Sequence, residues 1–226
     1  MIPEWLEPVA RAARDITPDD LTRFVAPEDA VTRRGAVLLL FGAERDLLLT
    51  ERAHDMRSHP GQVSFPGGTI DPGESPAEAA LREAEEETGL VAAGVEVFGE
   101  LPELWLPPSN FAVTPVLGWW SEETPVGVVD PAEVHAVYRV PLDDLLDPTH
   151  RVSVRHPSGW VGPGFLIGPD HGIVLWGFTA GIIARLLDFL GWARPWDPDR
   201  MRDLPAHMLQ GLPRPAARPA PSEERP

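Results

Sequence analysis

The chain is 226 residues long with a formal net charge of −16, and every one of its 19 Lys or Arg positions is arginine, so it has no long-range attraction for nucleic acid or an anionic membrane. The absence of cysteine excludes a disulfide framework, a thiolate metal site and a cysteine nucleophile, leaving oxygen or imidazole to hold any metal. Hydrophobic content of 43% is ordinary for a globular domain. The opening MIPEWLEPVARAARD lacks the basic-then-apolar order of a signal peptide, and the longest apolar run, Ile173 to Ala184, is short of a membrane span, so a cytoplasmic protein is expected.

The length suits one domain with extensions and shows no internal repeat: a lead-in over 1–34, a main domain over 35–195, and a Pro/Arg-rich tail over 196–226 that is expected to be disordered from 211. The lead-in reads as short helical stretches punctuated by Pro3, Pro8, Pro18 and Pro27. GAVLLLF from Gly35 and LLLT from Leu47 read as two apolar strands joined by a polar turn. The loop that follows, Glu51 to Gly68, carries Arg52 and Arg57. Guanidinium suits bidentate phosphate recognition, although two arginines balancing Glu51 and Asp55 on a surface would look the same.

Next comes GGTIDPGESPAEAALREAEEETGL, Gly67 to Leu90, on which the rest of the reading turns. Ser75 as N-cap, Pro76 at the first position, Glu78 completing a capping box and Gly89 as a left-handed stop predict a helix over 76–88. At 100° per residue Ala77, Ala80, Leu81, Ala84 and Thr88 form the stripe expected to be buried. Glu83, Glu86 and Glu87 gather on one flank, with Arg82 on the other within reach of Glu78 and Glu85. Like charges at that spacing repel by roughly 3 kcal/mol per pair at an effective dielectric near 20, before salt reduces it. Water can screen them on a solvated face. A hard divalent ion, Mg²⁺ or Mn²⁺, that shares substrate phosphates does so too, and the polar glycine turn beside the carboxylates favours the ion.

Beyond this helix, Val95 to Leu101, Val113 to Trp119 and Glu133 to Val140 read as strands, the last ending at Pro141 before a short helical LDDLL. Two strands are expected between Arg151 and Gly172. From Ile173 a strand end runs into a helix with Trp176, Ala180, Ile183 and Leu187 on one face. His54, His59, His150, His156 and His171 lack the spacing of a helical zinc site and read as surface or core residues.

Gly68, Glu74, Arg82, Glu83, Glu86, Glu87, Gly89 and Leu90 resemble the Nudix box, G-x5-E-x7-R-E-U-x-E-E-x-G-U, with Ala84 the departure where a larger aliphatic is usual. The upstream LLTERAHDMRSHPGQVSFPGG resembles the motif of the coenzyme A pyrophosphatase branch, carried by Leu48, Leu49, Thr50, Arg52, Ala53, Arg57, Gly61, Ser64, Phe65, Pro66, Gly67 and Gly68. Trp176 to Ala180 resembles the stretch that closes such domains. The resemblance implies an α/β fold, the Nudix-type α/β/α sandwich with a mixed sheet and a loop-helix-loop metal site.

It also implies that Glu83, Glu86, Glu87 and the Gly67 carbonyl hold Mg²⁺ or Mn²⁺, with Arg82 orienting the carboxylates and Glu74 as its further partner. Glu83 or Glu86 is ranked ahead of Glu133 as general base; Glu133 reads equally as an extra ligand or a solvent-facing strand residue. Arg52, Arg57, Ser64 and Phe65 are expected to meet the substrate, helped by the loop over 107–111. That substrate is a small nucleoside diphosphate derivative, coenzyme A, cleaved to 3′,5′-ADP and 4′-phosphopantetheine. Rival readings are ADP-ribose, NADH or a damaged nucleoside triphosphate as substrate, or a non-catalytic binding protein. A homodimer is compatible with the sequence.

Overall fold

The computed structural model describes residues 1–22, 24, 33–56, 59–106 and 110–209, apart from the side chains at 206 and 207. The expected disordered stretch from 211 lies outside them. The lead-in forms helices α1 (Glu7–Asp15) and α2 (Pro18–Leu21), the latter opened by Thr17 and Asp20 as a capping box. Strands β1 (Arg33–Phe41), β2 (Asp46–Arg52), β3 (Val63–Ser64) and β4 (Gly67–Thr69) lead into α3 (Pro76–Thr88). After it come β5 (Val95–Glu100), β6 (Leu104–Leu106), β7 (Phe111–Trp120), β8 (Val134–Pro141) and α4 (Leu142–Leu146). The chain continues through β9 (Arg151–Arg155), β10 (Val161–Ile167), β11 (Ile173–Leu175), α5 (Gly177–Phe189) and β12 (Met201–Asp203).

The main sheet is mixed. β1 lies parallel to β7 from Arg33↔Phe111 to Phe41↔Trp119, while β4 runs antiparallel to β1 and both β5 and β6 run antiparallel to β7. The predicted hairpin forms, but β1 and β2 pair only at Phe41↔Leu47 and then diverge, β2 taking β8 and β3 as antiparallel neighbours. Alternation along the strands divides the core between the two faces. Leu38, Leu40, Leu48 and Trp120 face α3, whereas Leu39, Phe41, Leu47 and Leu49 face α1 and α5. This is the α/β/α arrangement expected.

Three features differ from the sequence expectation. The segment from Arg151 onward builds a second, four-stranded sheet in the order β11-β10-β9-β12, because a tight turn with Gly159 at φ 88° folds β9 and β10 on each other and β12 adds in parallel to β9. On α3 the buried residues are Ala79, Ala80, Ala84 and Thr88, with Ala77 and Leu81 only partly covered. The lead-in also sinks Leu6, Val9, Ala12, Ile16 and Leu21 into the core on the α5 face. No helix among the described residues is long and apolar enough to cross a membrane.

Candidate active site

Local chemistry builds the helix as the sequence predicts. The Glu78 backbone N–H donates to Ser75 Oγ at 3.2 Å, and the Ser75 N–H donates to Glu78 Oε2 at 2.8 Å. Gly89 sits at φ 71°, its N–H donating to the Glu85 carbonyl at 2.9 Å. In that left-handed conformation a side chain is strained, which is why glycine ends the helix.

The arrangement on the flank is tighter than the helical wheel suggests. Arg82 does not engage Glu78 or Glu85. Its Nε donates to Glu74 Oε1 at 2.8 Å, Nη1 to Glu83 Oε1 at 3.1 Å and Nη2 to the Thr69 carbonyl at 3.0 Å, with Glu86 Oε2 at 3.4 Å from Nη1. The reason is that Glu78 is committed to the cap, while the loop before the helix brings Glu74 across to Arg82. The guanidinium thereby ties loop, helix and two of the three clustered carboxylates together.

Glu83 lies against β4, so close that a methyl on Gly68 would come within 2.4 Å of its carboxyl carbon. Glu87 Oε2 accepts the Gly67 N–H at 3.3 Å. Burial pushes Glu87 up to about 7, and the negative charges of Glu83 and Glu133 push the same way. The Gly67 hydrogen bond and the Arg52 charge oppose that rise. Glu83 is also raised, first by burial and then by Glu86 and Glu133, against the pull of Arg82. Glu83 and Glu87 are partly buried and Glu86 is exposed beside them; carboxylates crowded in this way gain from a multivalent cation, so the three fit a hard divalent ion. Glu133, just before β8, lies within the field of this cluster.

The remaining predicted residues divide. Arg52, at the end of β2, acts on Glu87, and its Nε is buried without a hydrogen-bond partner among the described residues. Ser64 is partly exposed on β3, paired with Thr50. Phe65, expected to meet the substrate, is 2% exposed and packs in the core on the α5 face. Arg57 and the 107–109 part of the second loop lie outside the described residues. An apolar cavity lined by Val9, Leu39, Phe41 and Ile183 is on the α5 face, away from the carboxylates.

One grouping is absent from the sequence reading. Glu51, His54 and His135 bring their ligating atoms within 4.8 Å of one another, the one such group among the described residues. His54, expected as a surface or core residue, stands 2.7 Å from a Glu51 carboxylate oxygen and beside a second imidazole. The Glu-x-x-His spacing at the end of β2 was a faint signal, but His135 is contributed from far along the chain.

Residues 31–160 match the family model described as the NUDIX domain. The chain belongs to the Nudix family. It is 40% identical over 190 residues to an uncharacterized Nudix hydrolase, NudL, of Enterobacter sp. (strain 638), covering 76% of this chain and 94% of that one. Nudix hydrolase 3 of Caenorhabditis elegans is 41% identical over 128 residues, covering 55% of this chain and 53% of the relative, so the chain spans about half of that protein. Among solved structures, the Nudix hydrolase RenU of M. smegmatis aligns over 70% of this chain and 86% of its own, with a TM-score of 0.46 and 23% identity. On the family model and the NudL relative, the protein is a Nudix hydrolase, a pyrophosphatase acting on phosphorus anhydrides, and the stretch that resembles the Nudix box, Gly68 to Leu90, runs from β4 through α3.

Proposed function

We propose that this Nudix hydrolase cleaves the diphosphate linkage of coenzyme A or its derivatives, releasing 3′,5′-ADP and 4′-phosphopantetheine. The observation that carries the reading is Arg52. It stands in the Leu48 to Gly68 stretch that resembles the coenzyme A pyrophosphatase motif, on the same side as Glu87, with a buried guanidinium N–H awaiting an acceptor. A phosphate oxygen is the acceptor such a donor fits, because the bond is charge-assisted and the alternative is an unsatisfied buried group.

Glu83, Glu86 and Glu87, with the Gly67 carbonyl, would hold Mg²⁺ or Mn²⁺, which supplies charge neutralisation on the phosphoryl oxygens and acidifies the attacking water. Arg82 positions the Glu83 and Glu86 carboxylates. Glu83, raised by burial, is suited to receive the water's proton, and Glu133 is the second candidate because its charge reaches both Glu83 and Glu87. Arg52, and Arg57 by its place in the motif, would bind phosphate, the 3′-phosphate included, and Ser64 would meet the substrate from β3.

Hydrolysis of coenzyme A, dephospho-coenzyme A, ADP-ribose and NADH side by side in Mg²⁺ and Mn²⁺ tests this. Coenzyme A is expected to have the highest kcat/KM. Equal turnover of its dephospho form would remove the role of the 3′-phosphate, and preference for ADP-ribose or NADH would replace the substrate while leaving the box chemistry in place.

A further inference from the structure

We propose that Glu51, His54 and His135 form a second metal site, selective for a borderline transition ion of the Zn²⁺ class and separate from the carboxylate site on α3. Two strands and a loop build it. Glu51 lies near the end of β2, His54 just beyond it, and His135 near the start of β8. The β2–β8 ladder passes from Glu51↔Ala136 to Arg52↔Val134, so His135 is the extra residue of a bulge. A bulge frees its residue from the regular alternation and re-aims the side chain. Here that brings His135 to His54, with ring centroids 4.2 Å apart, and all three ligating atoms within 4.8 Å of one another.

The carboxylate is the second, independent pointer. The Glu51 side chain is only 8% exposed, in a region where a buried charge must be paired or must coordinate a metal. One of its oxygens accepts the Tyr138 hydroxyl, and the other lies 2.7 Å from His54 Nε2. The tyrosine fixes the carboxylate from behind, as the outer partner of a metal ligand does. The second oxygen faces the two imidazoles. Tetrahedral zinc with bonds near 2.0 Å sets its ligands roughly 3.3 Å apart, so modest rotation of the rings replaces the His54–Glu51 hydrogen bond by coordination. Two imidazoles and one carboxylate favour Zn²⁺, Co²⁺ or Ni²⁺ over Mg²⁺, the reverse of the all-oxygen set on α3.

The site is on the other face of the β2–β8 pair from the catalytic carboxylates. Tyr138 packs against the core that holds Leu47 and Leu49, whereas Leu48 faces α3. An ion there would tie the root of the arginine-bearing loop to β8 without entering the reaction.

The test is equilibrium dialysis of the tag-free full-length chain against Zn²⁺, and against Co²⁺ with visible absorption, in excess Mg²⁺ so that the α3 carboxylates are occupied. The expected result is one Zn²⁺ per chain, unchanged in Glu86→Gln and weakened at least about tenfold in His135→Ala and in His54→Ala, with Co²⁺ giving a ligand-field spectrum that His135→Ala abolishes. His135 is exposed, and an unchanged melting curve of its variant in chelator shows that the fold survives. Absence of Zn²⁺ binding, Zn²⁺ lost with Glu86→Gln, or Zn²⁺ retained undiminished in His135→Ala would each overturn the proposal.

Discussion

Glu87 holds its proton longer in the folded chain than in the unfolded one, because burial opposes its charge and lifts its carboxyl from 4.5 to about 7. For an acid raised in this way the native state binds more protons between the two values, so stability is present below about 4.5 and declines as the pH climbs through about 7. In chelator, the decline attributable to Glu87 is expected to reach roughly 3 kcal/mol, the free-energy equivalent of the shift. Urea unfolding at stepped pH in EDTA measures it, and Glu87→Gln should flatten that part of the profile. At this scale the sequence displayed the carboxylate cluster but not the partners of Arg82. Helical spacing can place Glu78 and Glu85 near Arg82, yet only the folded loop brings Glu74 and the Thr69 carbonyl to it. The burial of Phe65 likewise depends on which face of the chain turns toward α5.

Strand β4 and helix α3 meet where Gly68 faces Glu83, and this contact sets the carboxylate's position. A methyl at Gly68 would sit 2.4 Å from the Glu83 carboxyl, whose flexible end can swing aside without moving the backbone. Gly68→Ala is therefore expected to lower turnover by at least tenfold, on the order of 1.4 kcal/mol in the barrier, while leaving the melting temperature nearly unchanged. Kinetics and melting on the same preparation check it; an unchanged rate would mean that Glu83 can be displaced harmlessly. The helix was legible to the residue because its signals are local: Ser75, Pro76, Glu78 and Gly89 act within a turn of where they stand. Sheet pairing was less legible. Nothing in the alternation of β1 states that it takes β7 in parallel, or that β9 and β10 leave the main sheet for β12.

Across the whole molecule, the core on the α5 face depends on a segment that reads as a mere lead-in. Leu6 is fully buried beneath the α5 face together with Val9 and Ile16, and Trp5 sets its ring edge to face with Phe41 and Trp119. Leu6→Ala should cost about 2–5 kcal/mol by opening a cavity there, read by chemical denaturation, although it is remote from the carboxylates. Sequence alone could not show this, since short amphipathic helices look alike whether they dock or not. The general plan was legible because the box, the arginine loop and the closing helix each carry their own pattern; the Glu51–His54–His135 group, assembled from distant positions, was not.

Catalysis is assigned to the α3 carboxylates, and turnover of the best-cleaved diphosphate by wild type and Glu86→Gln, in Mg²⁺ and in Mn²⁺, probes that assignment at a single ligand. Glu86 is 60% exposed, so the variant should fold normally. A loss on the order of 10²-fold or more in kcat with an unchanged melting curve is predicted. Near wild-type turnover by Glu86→Gln would contradict the assignment and move the catalytic metal elsewhere.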